Sequence, residues 1–513
     1  MLLVVVVAFA ALRPGSGPPE GEGSPATVVP PRAALYLEAD LRPTGDQGVA
    51  VRQVLQRLLR TNRPAVPLRD LLDQALARSG TGLVYTRDVE PWLGRRAGLF
   101  VTRFSRLPTR SEGALVLSTS NADRARRAVA LVRPARSARR TYRGVSYEAG
   151  GGGPASAVVS DFLVVGAEPA VRAAIDAWRG SALADTDQYR RELPLQPYLA
   201  LGYLNWTRLL DALPPGTFPA DLQRDARLRL ARVNAKPLVP TLSASDGRLA
   251  LDIGPIPPPP GPPVPIGGGL GGSSLLPTRQ LPRLPADALA ALDLPELGQQ
   301  LYATVSPGLN PGVPNDEIRP LLRGLARRTG LDLGRDLLPW LGGVAVFAQG
   351  TSRAQLGGAV VMESLEPARS RRAADRLEGS LRGRPGFDTG PSELAGVGQG
   401  FSFRAEALPG QRFHVFARGN RVVLAYGRRA AMTALDAPRK LGDLPAYEAG
   451  AKGLGQGLLP SAWLSAPAAL SFADSTALGR APAYVLLRRY LDRLSFVIFG
   501  SKRSFRRFLA GVR

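Results

Sequence analysis

Short apolar runs recur along the chain, separated by longer stretches in which Ala and Leu alternate with Arg at helical spacing. Short runs of this kind read as strands and the longer periodic stretches as helices. Ala97-Gly98-Leu99-Phe100-Val101 and Ala114-Leu115-Val116-Leu117 are two such strands, followed by a helix from Ala122 to Val132. Phe162 to Gly166 is a third, again leading into an Ala-rich helix. Thr241 to Ala244 and Leu249 to Ile253 flank Asp246-Gly247, a pair suited to a tight hairpin turn. Strands that follow one another directly favour antiparallel pairing over a parallel crossover. The pattern predicts an α+β fold, with a largely antiparallel sheet covered by helices on one face.

The same succession occurs twice. Asp88-Val89-Glu90-Pro91-Trp92-Leu93-Gly94 matches Asp336-Leu337-Leu338-Pro339-Trp340-Leu341-Gly342. A helical pattern precedes each, from Leu71-Leu72 to Gly80 and from Leu321-Leu322 to Gly330. Strands follow at Val344 to Phe347 and Ala359 to Met362, then an Arg/Ala-rich helix from Pro367 to Leu381. Arg421 to Gly427 parallels Phe162 to Gly166, and Leu441-Gly442-Asp443 with Tyr447 parallels Leu183-Ala184-Asp185 with Tyr189. Features kept in one order across two halves are the mark of an internal repeat. The sequence therefore predicts two homologous lobes.

Proline and glycine place the boundaries. Residues 255–283 hold the run Pro255 to Pro263 and a Gly/Ser stretch, the composition of an interdomain linker. The first α+β repeat is expected over 29–254 and the second over 284–513. Residues 1–12 contain the apolar run Leu2 to Leu12, too short for a helical span of ~20 residues and suited to a signal-peptide core. No basic residue precedes it, so the chain is expected to begin inside a longer signal or anchor. Residues 13–28 read as a Pro/Gly spacer.

Several motifs resemble a known family. The opening Val29-Pro30-Pro31-Arg32-Ala33-Ala34-Leu35-Tyr36-Leu37-Glu38-Ala39-Asp40 is similar to its start. So are Pro91-Trp92-Leu93-Gly94, Tyr142-Arg143-Gly144-Val145-Ser146-Tyr147, and Leu183-Ala184-Asp185 with Tyr189. In this order they resemble an uncharacterised family of bacterial envelope proteins, domain of unknown function 3352. The resemblance implies an extracytoplasmic protein of the cell envelope, membrane-anchored or secreted. It implies no activity, cofactor or catalytic residue.

Composition narrows the chemistry. The chain of 513 residues has no Cys and one His, His414. Thiolate nucleophiles, disulfides and multi-His metal sites are excluded, and any Ser-His-Asp scheme must use His414. No phosphate-loop, Ser-x-x-Lys or Gly-x-Ser-x-Gly signature occurs. No cofactor is expected, and the chain leans away from enzymes. The net charge of +24 is carried almost wholly by Arg. It implies attraction to anionic surfaces, anionic lipid or wall polymer before nucleic acid, since no nucleic-acid module is present. Basic runs lie at Arg133, Arg136, Arg139, Arg140 and Arg143, and at Lys502, Arg503, Arg506, Arg507 and Arg513, the second interleaved with Phe505 and Phe508.

Three candidate sites remain. The paired motif Pro91, Trp92, Leu93, Gly94 and Pro339, Trp340, Leu341, Gly342 reads as a turn with a core plug, or else as an aromatic ligand cleft. Glu38 and Asp40 share one strand face and could serve a glycan hydrolase as acid and base. Their default reading is a pair of exposed carboxylates on a half-solvated strand, with Asp293 in the matching place of the second half. His414 lies on an alternating strand and reads as surface or satisfied core.

Overall fold

The computed structural model describes residues 23–78, 82–106, 111–132, 136–150, 153–214, 217, 224, 227, 236–254, 280–295, 297–298, 301, 332–395, 398–406, 410–455, 457–480, 482–502 and 505–512. The apolar N-terminal run, residues 13–22 of the spacer, residues 255–279 of the linker and the helical pattern at Leu321 to Gly330 lie outside these residues. The chain divides into unit 1, Met1–Pro259, and unit 2, Pro260–Arg513.

Unit 1 holds β1 (Leu35–Asp40), β2 (Leu93–Arg103), β3 (Glu112–Thr119), β4 (Ser137–Tyr142), β5 (Val145–Gly150), β6 (Ala155–Val159), β7 (Phe162–Gly166), β8 (Ala200–Leu204), β9 (Pro240–Ser245) and β10 (Arg248–Ile253). All pair antiparallel, in the order β4-β5-β6-β7-β3-β2-β1-β8-β9-β10. The β9–β10 turn is the one expected: Asp246 and Gly247 both take positive φ, 47° and 72°, as a two-residue hairpin turn requires.

Unit 2 holds β11 (Ala288–Leu294), β12 (Leu341–Gln349), β13 (Gly357–Ser364), β14 (Phe387–Leu394), β15 (Gly398–Ala405), β16 (Phe413–Arg418), β17 (Arg421–Tyr426), β18 (Leu459–Ser465), β19 (Leu494–Lys502) and β20 (Phe505–Val512). These too pair antiparallel, in the order β14-β15-β16-β17-β13-β12-β11-β18-β19-β20.

Helices lie on both faces of each sheet, which corrects the one-face expectation. Strand residues alternate in direction, so a strand apolar at successive positions has two faces to bury. In unit 1, Tyr36, Phe100, Val116 and Val164 form one cluster with Ala170, Val171, Ala174 and Ile175 of α4 (Glu168–Arg179). The opposite face carries α1 (Gly45–Leu59), α2 (Ala65–Arg78) and α3 (Ala122–Leu131), whose Val51, Leu55, Leu68, Ala125 and Ala128 pack with Ala39, Leu93 and Leu163. Asn121 starts α3 by accepting a hydrogen bond from the Arg124 N–H at 2.9 Å. In unit 2, Ala373 of α7 (Pro367–Leu381) clusters with Val422, while α8 (Arg428–Leu435) lies against β17 and β13. The helices α5 (Asp187–Glu192) and α6 (Trp206–Ala212) complete unit 1 up to residue 212.

Candidate functional site

The outstanding feature is a cavity of about 790 Å³ in unit 1, between the sheet and the layer of α2 and α3. Leu37 and Ala39 of β1, with Leu41 just past its end, form its floor with Leu99 of β2, Leu117 of β3 and Leu163 of β7. Leu72 and Leu76 of α2, with Ala128 and Val129 of α3, form the roof. All ten strands contribute a lining residue, from Ser137 on β4 to Leu251 on β10. At a strand spacing of ~4.8 Å the floor extends up to roughly 43 Å. The groove thus runs across the strands of the sheet.

Its wall is almost wholly apolar. Apart from the rings of Tyr85 and Trp92, the polar side chains facing it are Ser137, Glu148 and Ser156. Glu38 borders it through its backbone, because its carboxylate lies on the other sheet face with Tyr36. Where β1 crosses the middle, Ala39 stands between Ala97 on β2 and Ala200 on β8. Three methyl groups side by side leave the floor low there.

The tryptophan turns are buried plugs. The Trp92 indole N–H donates to the Asp88 carbonyl at 2.6 Å, and Trp340 does the same to Asp336 at 2.6 Å. Each aspartate carboxylate in turn accepts a backbone N–H four residues upstream, from Val84 at 2.9 Å and Asp332 at 3.0 Å. Pro91 and Pro339 precede the indoles, and Leu93, Gly94, Leu341 and Gly342 begin β2 and β12. Trp92 also borders the cavity, so it is both plug and wall.

Glu38 and Asp40 are not exposed, contrary to the default reading; they are 2% and 5% accessible. Glu38 accepts from the Tyr36 hydroxyl at 2.6 Å and the Ser24 hydroxyl at 2.7 Å, and forms an ion pair with Arg96. Burial works against the Arg96 charge, but Glu38 and Tyr198 outweigh it and hold the guanidinium cationic. Burial and the neighbouring carboxylate push the Tyr36 phenol well above its ordinary range, so it remains a donor. Asp40 pairs with Arg95 at 2.7 Å. Each carboxylate is therefore held by its own arginine rather than facing the other across a cleft.

Unit 2 has a different balance at the matching place. Asp293, 1% accessible, accepts from the N–H groups of Gln280 at 3.2 Å and Leu281 at 3.1 Å. Glu38 stands opposite Gly98, two residues past Arg96; Asp293 stands opposite Ala345, two residues past Gly343. Burial pushes the Asp293 carboxyl above its ordinary range, the two N–H bonds pull it back, and Glu363 raises it. A raised folded value means that the folded chain holds its proton to higher pH than the unfolded chain. Stability is then full in acid and falls as pH rises through the folded value. Asp293→Asn is accordingly expected to raise the unfolding midpoint at pH 7 relative to the parent, with the gain shrinking toward pH 3, as read by thermal melts across that range.

His414 on β16 bonds through Nδ1 to the Ser392 hydroxyl at 2.9 Å; burial, then Arg412 and Arg428, lower its pKa. Much of the first basic run is spent in ion pairs: Arg140 with Glu168 at 3.1 Å and Arg143 with Asp176 at 2.9 Å, while Arg139 approaches Glu148 at 3.9 Å. Arg133, Arg503 and Arg513 lie outside the described residues. Among the described residues no group of three or more acidic or His side chains could hold a metal ion, and no helix is long and apolar enough to cross a membrane.

The family model for "Protein of unknown function (DUF3352)" matches residues 1–398. The chain belongs to this family. No curated protein matches the DUF3352 chain. Among solved structures it is similar to crystal forms I and III of TP0453, both at 9% identity and covering 81% of this chain. The matches cover 98% and 99% of those chains, with TM-scores of 0.17 and 0.16. Likeness at that level carries no inference about fold or ligand.

The groove had no sequence motif. Its only advance sign was strands apolar at consecutive positions, such as Leu115-Val116-Leu117 and Leu163-Val164-Val165, which need cover on both faces.

Proposed function

We propose that the chain is a non-enzymatic binding protein of the cell envelope, built from two copies of one α+β fold, and that unit 1 holds a long apolar molecule in its groove. The observation that carries the reading is the groove itself: about 790 Å³, apolar along nearly its whole wall, and bordered by all ten strands. Ligand cavities are concave and mostly apolar, with a few placed polar groups, and volumes of ~300–1,000 Å³ are typical. Water gains little from such a wall, whereas apolar area transferred from water contributes ~25 cal/mol per Å².

The duplication rests on matching strand orders and on the paired tryptophan turns, with indole bonds of 2.6 Å in each unit. Envelope location rests on the apolar N-terminal sequence and the family resemblance. The Arg excess suits an anionic membrane or wall surface as neighbour. A carboxylate glycosidase is disfavoured because Glu38 and Asp40 are each engaged by an arginine. Titrating the full chain with a pyrene-labelled long-chain alcohol tests the reading. Saturable one-to-one binding with an apolar emission shift is expected; emission rising linearly without saturation would overturn it.

A further inference from the structure

The groove is not uniform along its length. Its polar side chains, Ser137, Glu148 and Ser156, sit on the neighbouring strands β4, β5 and β6 at one side of the sheet. Glu148 stands directly opposite Ser156 in the β5–β6 register. From β7 to β10 the floor facing the groove is apolar, with Leu163, Leu117, Leu99, Leu37 and Leu242 in succession. Ser156 is 7% accessible, and its side chain borders the cavity. A few polar groups placed at one end of an otherwise apolar wall are what fix the orientation of a bound ligand.

We infer that the ligand is a single-chain amphiphile with a small, uncharged, hydroxyl-bearing head, bound with that head at Ser156 and Glu148 and its tail running toward β10. This rests on the groove being a ligand site, and adds the ligand's class and direction. Ser156 can both donate and accept, and the Glu148 carboxylate accepts from a head-group hydroxyl. A carboxylate head meets Glu148 as a like charge at close range, and Arg139, 3.9 Å from Glu148 and largely exposed, offsets that repulsion only in part. A pure hydrocarbon makes no use of either group. A hydroxyl head can hydrogen-bond to both groups.

Three probes of similar chain length separate the possibilities in the full-length chain: 1-monooleoylglycerol, oleate and octadecene, each measured by displacement of the pyrene alcohol. Monooleoylglycerol is expected to bind roughly tenfold or more tightly than oleate at neutral pH. Ser156→Ala is expected to weaken monooleoylglycerol by roughly 2- to 10-fold and leave octadecene unchanged. Glu148→Gln is expected to recover oleate binding. Equal affinity for all three probes, insensitive to both substitutions, overturns the direction and head-group assignment while leaving the groove as a binding site. Failure of every probe to displace the alcohol, or of the alcohol to bind, overturns both readings. Unchanged unfolding midpoints in the two variants show that the shifts report binding rather than folding.

Discussion

Replacing Ala97 and Ala200 together by tryptophan is expected to abolish binding of a long-chain ligand, with at least a tenfold loss of affinity, or ~1.4 kcal/mol and upward. The two alanines flank Ala39 on the groove floor, on β2 and β8. Two indoles rising from that floor occupy the channel where a chain must cross β1. They enter empty space rather than a filled core, so the overpacking penalty of ~1–3 kcal/mol is largely avoided. The unfolding midpoint should stay near that of the parent, or rise. Unaltered binding in a folded double variant would mean that the ligand lies elsewhere.

Arg96→Met is expected to destabilise unit 1 by ~3–5 kcal/mol, because it leaves the Glu38 carboxylate buried without its counter-charge. The Glu38 side chain is fully screened from solvent, and its other partners, Tyr36 and Ser24, are neutral donors. Adding Glu38→Gln to that variant removes the stranded charge while keeping an acceptor for both hydroxyls. Most of the lost stability should return, which urea unfolding of the single and double variants would show. If the single variant costs less than ~1 kcal/mol, the pair behaves as an exposed one. The tight placing of Tyr36 against Tyr189 at 6.1 Å, and of Tyr189 against Tyr203 at 5.4 Å, would then have another cause.

Much of the fold could be read along the chain. Asp246-Gly247 announced its hairpin because only a few residue types tolerate two consecutive positive φ angles. Pro91-Trp92 and Pro339-Trp340 announced paired turns because the indole, the proline and the following strand form one local unit. Helix α3 and helix α7 were visible from their spacing, within a residue of their observed ends. What could not be read was assignment to a face. Leu163, Val164 and Val165 are all apolar, and alternation alone does not say which of them meets a helix and which a cavity. Nor did proximity along the chain reveal the partners of Glu38 and Asp40. Arg95 and Arg96 lie more than fifty residues downstream and arrive only through the β1–β2 register. The arginine run read as a free basic surface is partly spent on Glu168 and Asp176, again through pairing that a linear pattern does not show.

The central claim is that a chain-like molecule lies along the face of the unit 1 sheet that α2 and α3 cover. A long-chain alcohol carrying a diazirine near the end of its tail, irradiated with the full-length chain, reports that position directly. Peptide mass spectrometry should then find about one adduct per chain, on β1, β2, β8 or β9, at residues such as Leu37, Leu99 or Leu242. Adducts scattered over exposed helices, or confined to residues 284–512, would contradict it.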